Sequence, residues 1–343
     1  YGLNASWTLY NGNKRLKTIQ QEKLNNQMAE LDVATSENNI QESIAQVYIQ
    51  ILYAAESVKV NENTLQVSIA QRDRGQELLN AGSIAKSDLA QLEAQVSTDR
   101  YQLVTAQATL EDYKLQLKQL LELDGENEMN IYLPALSDEN VLAPLPTKRD
   151  VYISALSLRP EIEASKLNVE ASELGINIAK SSYFPTISLS AGIGTNHTSG
   201  SDFTFGEQVK NGWNNSIGLS VSVPIFNNRQ TKSAVQKAKL QYETSMLSLL
   251  DEQKALYKTI ESLWLDANSA QQRYAAANEK LKSTQISYEL ISEQFNLGMK
   301  NTVELLTEKN NLLQAQQEQL QAKYMAILNT QLLKFYQGDQ LAI

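Results

Sequence analysis

The spacing of apolar residues changes along the chain from a helical period to a strand period and back. Apolar side chains recur every three or four residues over 14–80 and 86–123, and again over 228–297 and 301–336. This spacing is typical of one face of an α-helix. The pattern therefore predicts two pairs of long helices, with a short break inside each pair.

Each break contains a glycine, Gly82 in the first pair and Gly298 in the second. Glycine readily adopts the left-handed conformation that closes a helix, so the chain can reverse direction there. A helix of about 70 residues is roughly 100 Å long at 1.5 Å per residue. Because one small domain cannot bury such a helix, we expect neighbouring helices to cover it, including helices of other copies of the chain.

The packing face of the last predicted helix is assigned from its apolar stripe. That stripe contains Val303, Leu306, Leu313 and Leu320. The Asp and Glu residues are scattered along the predicted helices, and we expect them to lie on solvated faces.

Three shorter segments alternate apolar and polar residues, which is the period of a β-strand. They cover 1–11, 185–195 and 213–226, and the loop 196–212 joins the last two. The face opposite the apolar residues consists of Ser, Thr, Asn and Gly, without the long charged side chains usual on a solvated sheet. The pattern predicts strands with one apolar and one small polar face.

Two further segments complete the chain. Residues 148–183 have a helical pattern that is broken near Arg159 and Pro160. Residues 124–147 contain three prolines and are predicted to be a connection without long helices.

An internal repeat emerges when the two halves are laid on one another. Residues Gly2–Asn11 match Gly218–Asn227 at a separation of 216 residues, and Gly82 and Gly298 are separated by the same number. Two independent landmarks with one separation imply two copies of a unit made of strand, long helix, hinge and helix.

The repeat divides the chain into a first copy over 1–123, a connection over 124–147 and a second copy over 148–343. In the second copy a helix and a strand precede the repeated unit. The first copy has no such beginning, so we expect the chain to start part-way through its first repeat.

Composition excludes most chemistry. The 343 residues include no Cys and one His, which removes thiol nucleophiles, Cys-ligated metals and most histidine catalysis. No phosphate-binding loop or His-Glu-x-x-His motif is present. We therefore expect no enzyme activity, no catalytic residues, no cofactor and no metal. A net charge of −9 disfavours binding to nucleic acid.

Membrane insertion through helices is also disfavoured, because no run of 18 apolar residues occurs. Alternating strands of a membrane barrel escape such a search. An ordinary antiparallel sheet on a soluble core is the alternative for the same strands.

Several short motifs, in this order and spacing, resemble the TolC-type outer-membrane efflux proteins over essentially the whole chain. The motifs are Arg159–Ile162, Ala179–Pro185, Val223–Phe226, Phe295–Gly298 and Val303–Leu306. Each motif alone is weak, but their combination and duplication are specific.

The resemblance implies a mainly α-helical protein with membrane β-strands. In this family a homotrimer forms one shared 12-stranded barrel in the outer membrane of a Gram-negative bacterium, with four strands from each protomer. A long α-helical barrel continues it into the periplasm. Since three strands are visible here, the fourth would precede Tyr1. Aromatic residues near the strand ends are expected to contact outer-membrane lipid: Trp7, Tyr10, Phe184, Trp213 and Phe226.

The resemblance also implies a periplasmic gate near the helix hinges. The gate positions are Phe295, Lys300, Glu304 and Thr307, and Lys300 is expected to bind Ser87 and Asp88 beyond the other hinge. Here Phe295 lacks the hydroxyl of a tyrosine, and Thr307 removes one acid. The alternative is that Lys300 and Glu304, four residues apart, form a simple surface pair on one helix.

The hinge tips are expected to contact a periplasmic adaptor, or membrane fusion protein. They consist of Gly82, Ser83, Gly298 and Met299. A small residue at a helix turn lets a partner's backbone approach closely. The simpler alternative is a glycine that ends a helix and has no further role.

The expected function is that of a passive exit duct for small molecules such as drugs, in a tripartite efflux or type I secretion system. An inner-membrane pump would supply the energy. A periplasmic adaptor is one alternative, although it should have all-β segments flanking a single hairpin. A coiled-coil scaffold is another, but it leaves the strands and the repeat without a purpose.

Overall fold

A computed structural model describes residues 1–123, 131–132 and 141–341. Its strands and helices follow one another as β1 (Gly2–Asn11), α1 (Lys14–Asn80), α2 (Lys86–Leu120), α3 (Lys148–Leu158), α4 (Pro160–Lys180), β2 (Thr186–Gly194), α5 (Phe205–Asn211), β3 (Asn214–Ser222), α6 (Gln230–Asn296) and α7 (Thr302–Gln337). A short 3₁₀ turn, Ser181–Tyr183, follows α4.

Most long helices lie where the apolar spacing predicts them, and α1 begins and ends at the predicted residues. The segment 148–183 is divided into α3 and α4. Arg159 between them is extended, with φ −76° and ψ 123°. This follows from Pro160, because a proline disfavours helical conformation in the preceding residue and fits well at the first position of a helix.

Two predictions about the strand region need correction. The last strand ends at Ser222 rather than 226, and Pro224 just beyond it has no N–H to donate to a ladder. The predicted loop 196–212 contains the helix α5, which the spacing did not indicate. Thr204 and Glu207 cap α5 by reciprocal hydrogen bonds between side chain and backbone.

The chain folds as two compact units. The first unit contains Tyr1–Thr35 and Arg159–Lys254, and the second contains Ser36–Leu158 and Ala255–Ile343. Helices α1 and α6 contribute residues to both, so the units do not coincide with the two predicted repeats. Of the predicted connection over 124–147, residues 124–130 and 133–140 lie outside the described residues.

The first unit contains an antiparallel sheet in the order β1-β2-β3. Its register aligns residues of the same kind across all three strands. One face carries the rows Ala5–Ala191–Ile217 and Trp7–Leu189–Leu219, and the other carries Asn4–Gly192–Ser216, Ser6–Ser190–Gly218 and Thr8–Ser188–Ser220. The predicted division into an apolar and a small polar face therefore extends across the sheet.

A bulge in β1 changes one detail of that division. Thr8 pairs with Ser188, but the next paired residue is Tyr10, opposite Ile187. Leu9 is therefore the extra residue, and Tyr10 rather than Leu9 joins the apolar row. A bulge cannot be seen in strict sequence alternation, because it depends on the partner strand.

The apolar face of the sheet is exposed in the single chain. Ile217 is 84% exposed and Leu219 is 66% exposed. The row of large apolar side chains is continuous, which is unusual for a surface that faces water.

Helix α4 packs on parts of α1 and α6 within the first unit. The Gln21 side chain donates from Nε2 to the carbonyl of Ala171 at 2.8 Å. The hydroxyls of Ser172 and Ser245 are 2.8 Å apart. These two polar contacts join α4 to α1 and to α6.

The second unit has an apolar core formed mainly by α1, α6 and α7. Its buried members include Ile49, Leu52, Val141, Ala270, Tyr274, Leu320, Tyr324, Ala326, Ile327, Leu328 and Leu332. Helix α3 contacts α7. The side chain of Trp264 donates to the carbonyl of Pro146 at 3.0 Å, so α6 also binds part of the connection.

Within the described residues, no helix combines the length and the apolar character needed to cross a membrane.

Candidate functional site at the helix hinges

The first hinge is built by two backbone hydrogen bonds at the end of α1. Ser83 N–H donates to the carbonyl of Leu78 at 2.8 Å, and Gly82 N–H donates to that of Leu79 at 2.9 Å. Gly82 has φ +74°. This is the Schellman arrangement, in which a left-handed glycine satisfies the last carbonyls of a helix.

The second hinge has the same arrangement at the end of α6. Met299 N–H donates to the carbonyl of Gln294 at 2.8 Å, Gly298 N–H donates to that of Phe295 at 2.9 Å, and φ of Gly298 is again +74°. All four predicted tip residues, Gly82, Ser83, Gly298 and Met299, are exposed. A side chain added at either glycine meets no atom within 4 Å.

In the first turn of the helix after each hinge, an acidic residue caps the helix. Asp88 Oδ2 accepts a hydrogen bond from Ala85 N–H at 3.0 Å. In α7, Glu304 Oε2 accepts from Asn301 N–H at 3.2 Å, and Asn301 Oδ1 accepts from Glu304 N–H at 2.9 Å. These contacts satisfy free N–H groups and place a negative charge at the positive end of the helix.

Lys300 pairs with Glu304, which is the alternative left open by the sequence. The distance between Lys300 Nζ and Glu304 Oε1 is 2.5 Å, and the two side chains are 34% and 40% exposed. The hydrogen bond from Lys300, followed by that from the Asn301 backbone, lowers the pKa of the Glu304 carboxyl. An exposed pair of this kind contributes little to stability.

The structure does not join Lys300 to the other hinge. Within the described residues, the hydrogen bonds and ion pairs of Lys300 and Asp88 stay inside their own hairpins. Ser87 is exposed, and Thr307 is exposed with its hydroxyl bound to the carbonyl of Val303 at 2.8 Å. Phe295 is buried beside the second hinge. The lock between Lys300 and Ser87 or Asp88 remains a prediction.

A different set of charged and polar side chains does connect the hairpins. Lys309 Nζ on α7 donates to Asp99 Oδ2 on α2 and to Ser68 Oγ on α1, and the Ser68 hydroxyl donates to Asp99 Oδ2. Their exposed fractions are 3%, 1% and 2% for Lys309, Asp99 and Ser68. We call these three residues the buried charge cluster.

Burial dominates the electrostatics of this cluster. It lowers the pKa of the Lys309 ammonium, while the hydrogen bond and the charge of Asp99 act in the opposite direction. The second oxygen of Asp99, Oδ1, accepts from Gln95 Nε2 at 2.9 Å. Both carboxylate oxygens of Asp99 therefore have donors, as a buried charge requires.

Two uncharged contacts join the same hairpins nearby. Gln71 Nε2 on α1 donates to the hydroxyl of Tyr288 on α6 at 2.8 Å. Gln95 Nε2 on α2 lies 3.4 Å from Asn310 Oδ1 on α7. Burial raises the pKa of the Tyr288 hydroxyl, so this group stays protonated at neutral pH.

The sequence contains an indication of the cluster that the predicted apolar stripe does not include. The buried face of α7 contains Leu305, Lys309 and Leu312 together with Leu313 and Leu320 of the predicted stripe, whereas Val303 of that stripe is 58% exposed. Asp99 follows Leu92 and Val96 at helical spacing. A charged residue within an apolar stripe was therefore the signal, and the expectation of solvated acids is wrong for Asp99.

The predicted membrane-interface aromatics lie toward the two ends of the sheet in the first unit. Trp213 precedes the pairing of Asn214 with Gly194 at one end. Tyr10, Phe184 and Phe226 lie near the opposite end, since Asn11 and Ser222 both pair with Thr186 there. Trp7 is an exception, because it lies within β1 opposite Leu189. All five side chains are exposed.

Comparison with known proteins identifies related chains. A family model described as "Outer membrane efflux protein" matches residues 151–338. The outer membrane efflux protein BepC of Brucella suis is 24% identical over 294 residues, which cover 85% of this chain and 61% of BepC. The outer membrane protein TolC of Escherichia coli is also 24% identical over 294 residues, with coverage of 83% and 58%.

These two relatives are longer than the chain, which spans about 60% of their length. The crystal structure of CusC, a protein described as forming a transmembrane channel, has a TM-score of 0.84. Its sequence is 19% identical, and the match covers 99% of this chain and 77% of CusC. The likeness shows that the described residues have the fold of such channel proteins.

The resemblance derived from the motifs is thereby confirmed. The family description refers to the outer membrane, which is the location that the resemblance predicts. Since the family model matches more than half of the residues, the chain belongs to the outer membrane efflux protein family.

Proposed function

We propose that the protein is a passive exit duct in the outer membrane, through which small molecules such as drugs leave the periplasm. The observation that carries this proposal is the sheet of the first unit, whose apolar and small polar side chains lie on opposite faces across three strands. Such a sheet suits lipid on one side and water on the other. A sheet on a soluble core would cover its apolar face, which is exposed here.

A homotrimer would complete the sheet. In the described residues β1 and β3 are edge strands, and exposed edges in a membrane must be closed by further strands. In the family fold three protomers with four strands each form a barrel of 12, and β1, β2 and β3 would be three of those four strands. The two hinges, with the same backbone hydrogen bonds and the same φ, support the two-fold internal repeat of this fold.

The long helices would continue the barrel as a periplasmic tunnel that narrows near the hinges. Phe295, Lys300, Glu304 and Thr307, with Ser87 and Asp88, would form the region of the gate. The exposed tips at Gly82 and Gly298 would bind a periplasmic adaptor, and an inner-membrane pump would supply the energy. Opening would be a change in population that the adaptor favours through its contacts with the open arrangement.

Type I secretion of proteins is compatible with the same duct, because a wide passage needs no tailored pocket. A periplasmic adaptor or a coiled-coil scaffold is a weaker alternative. Neither requires an apolar face that extends across three strands with exposed large side chains such as Trp7 and Leu219.

The test is conductance in a planar lipid bilayer, with the full-length protein purified from outer membranes. We expect a trimeric mass in detergent and discrete ionic currents in the parent protein or in the Lys300→Ala and Glu304→Ala variants, which alter the proposed gate region. If neither the parent protein nor these variants conduct, the protein is not a duct. A dimer that stays soluble without detergent would favour the scaffold.

A further inference from the structure

We propose that the buried charge cluster of Ser68, Asp99 and Lys309 is the latch that holds the two hairpins of one chain together in the closed arrangement. The proposal rests on the proposed duct function, and it assigns the regulation of that duct to residues beyond the hinge. The first hairpin consists of α1 and α2, and the second consists of α6 and α7.

The cluster takes one residue from each of three helices. Ser68 and Asp99 belong to the two helices of the first hairpin, and Lys309 belongs to the second. Its hydrogen bonds form a closed triangle, because Lys309 donates to both partners and Ser68 donates to Asp99. Moving α7 away from the first hairpin breaks both bonds of Lys309 together.

The cluster differs in kind from apolar packing, which tolerates sliding of one helix along another. A buried ammonium and a buried carboxylate must remain paired or become hydrated. An intermediate displacement leaves both charges unpaired and still buried. The cluster therefore favours two discrete arrangements, closed with the pair formed or open with both charges in water, which is the behaviour required of a latch.

The contacts at the hinges do not have this property. Lys300 and Glu304 both belong to the second hairpin and bind each other. Asp88 belongs to the first hairpin and caps its own helix there. Breaking these contacts leaves the connection between the hairpins unchanged. The contact of Gln71 with Tyr288 does cross between hairpins, but it involves no charged group.

The chain offers a matched control. Lys280 and Glu318 form an ion pair of 2.7 Å between α6 and α7, inside the second hairpin, with side chains 43% and 41% exposed. Lys280→Met removes a lysine from a pair between two helices, as Lys309→Met does. The pair lost in Lys280→Met lies at the surface and inside one hairpin, whereas the pair lost in Lys309→Met is buried and joins the two hairpins.

The experiment measures amide hydrogen exchange of the hinge segments 75–90 and 290–305 in the detergent-solubilised full-length protein, together with bilayer conductance. In Lys309→Met and Asp99→Asn we expect exchange in both segments to accelerate about tenfold or more, and conductance to increase. Lys280→Met should match the parent in both measurements. Exchange in the core around Tyr274 and Leu320 should match the parent in Lys280→Met and in the double variant Lys309→Met with Asp99→Leu, neither of which leaves an unpaired buried charge, and this comparison separates latch opening from general unfolding.

A variant that retains an unpaired charge can fail to fold, so the double variant Lys309→Met with Asp99→Leu is included. Replacing a buried ion pair by apolar residues often preserves folding. The double variant should fold and still show accelerated exchange at both hinges. Exchange equal to that of Lys280→Met, in either the single variants or the double variant, overturns the latch.

The two measurements separate the latch from the duct. If exchange accelerates at the hinges and no variant conducts, the latch stands and the proposed function fails. If the parent conducts and Lys309→Met changes neither measurement, the function stands and the latch fails.

Discussion

Asp88 and Glu304 occupy the same position in the two hairpins, and each caps the helix that follows its hinge. Asp88 Oδ2 accepts from Ala85 N–H at 3.0 Å, and Glu304 Oε2 accepts from Asn301 N–H at 3.2 Å. Glu304 is 216 residues beyond Asp88, the separation that also relates Gly82 to Gly298. The two acids assigned to the gate therefore also have a structural role, which any test of gating must separate.

The carboxyl pKa of Glu304 should rise in Lys300→Met. In the parent, the hydrogen bond from Lys300 is the main cause that lowers this pKa below its ordinary value of 4.5. The rise should be incomplete, because Asn301 N–H still donates. The measurement is an NMR titration of ¹³C-glutamate-labelled protein, with the signal assigned by its loss in Glu304→Gln.

The sign of the pH effect follows from the lowered pKa. Glu304 contributes its stabilisation of the hinge above the ordinary glutamate pKa, and loses it as pH falls through the lower pKa of the folded protein. Hinge amides should therefore become less protected on acidification, and at a higher pH in Lys300→Met. Lys282→Met breaks an exposed pair with Glu279 and should leave this transition unchanged. An unaltered Glu304 titration in Lys300→Met would contradict the assignment.

Gly82→Ala and Gly298→Ala should each destabilise their hinge by about 1–2 kcal/mol, the cost of a left-handed conformation for a residue with a Cβ. No steric clash adds to it, because nothing lies within 4 Å of either position. Asn should cost less than Ala at both sites. Protection of the amides of residues 78–84 and 294–300 measures the effect.

Gly206→Ala is the control for these variants. Gly206 also has open space around it, but its φ is not positive, and it lies inside α5, where Ala is the better helix former. It should be neutral or slightly stabilising. If Gly82→Ala is as harmless as Gly206→Ala, the hinge does not depend on the left-handed glycine.

The sequence predicts the features that depend on local spacing. The bounds of α1 and the two hinge glycines follow from helical period and from glycine conformation, both of which neighbouring residues determine. The bulge at Leu9 depends on which residue of β2 pairs with Tyr10. The register between two strands cannot be predicted from the sequence of either strand alone.

The buried charge cluster also depends on features that the sequence of one helix does not determine. The predicted stripe of α7 includes Leu313 and Leu320, which are buried, but it begins at the exposed Val303 and does not include Lys309, whose side chain is 3% exposed. Lys309 lies three residues after Leu306 and four before Leu313, so helical spacing places it beside the stripe, but lysine is rarely fully buried and the spacing alone does not predict its burial. Even with the correct face, the identity of its partner Asp99, 210 residues away, depends on how the hairpins pack.

Removing members of the cluster should destabilise the protein in a defined order. Lys309→Met leaves Asp99 buried without its counter-charge, and such changes typically cost about 3–5 kcal/mol. Ser68→Ala leaves the ion pair and removes one hydroxyl, which should cost about 1 kcal/mol. Lys280→Met at the surface should cost less than about 1 kcal/mol.

Denaturant unfolding, followed by circular dichroism under one fixed detergent condition, gives the order of the three midpoints. If the unfolding midpoint of Ser68→Ala falls as far as that of Lys309→Met, the hydroxyl, rather than the charge, is the central group of the cluster.

Neighbouring residues on β3 test which face of the sheet contacts lipid. Leu219 lies in the apolar row with Trp7 and Leu189, and Ser220 lies in the polar row with Thr8 and Ser188. If the apolar face contacts lipid, Leu219→Lys should cost about 2–4 kcal/mol near the membrane midplane, and the fraction of protein assembled in the outer membrane should fall. Ser220→Lys places the same charge one residue away on the water-facing side, so assembly should be close to that of the parent, with a change in ion selectivity instead.

The measurement is the trimer fraction on gels of outer-membrane extracts without heating. Equal loss of trimer in both variants would mean that neither face of the sheet is in contact with water, and the membrane orientation proposed for the sheet would be wrong.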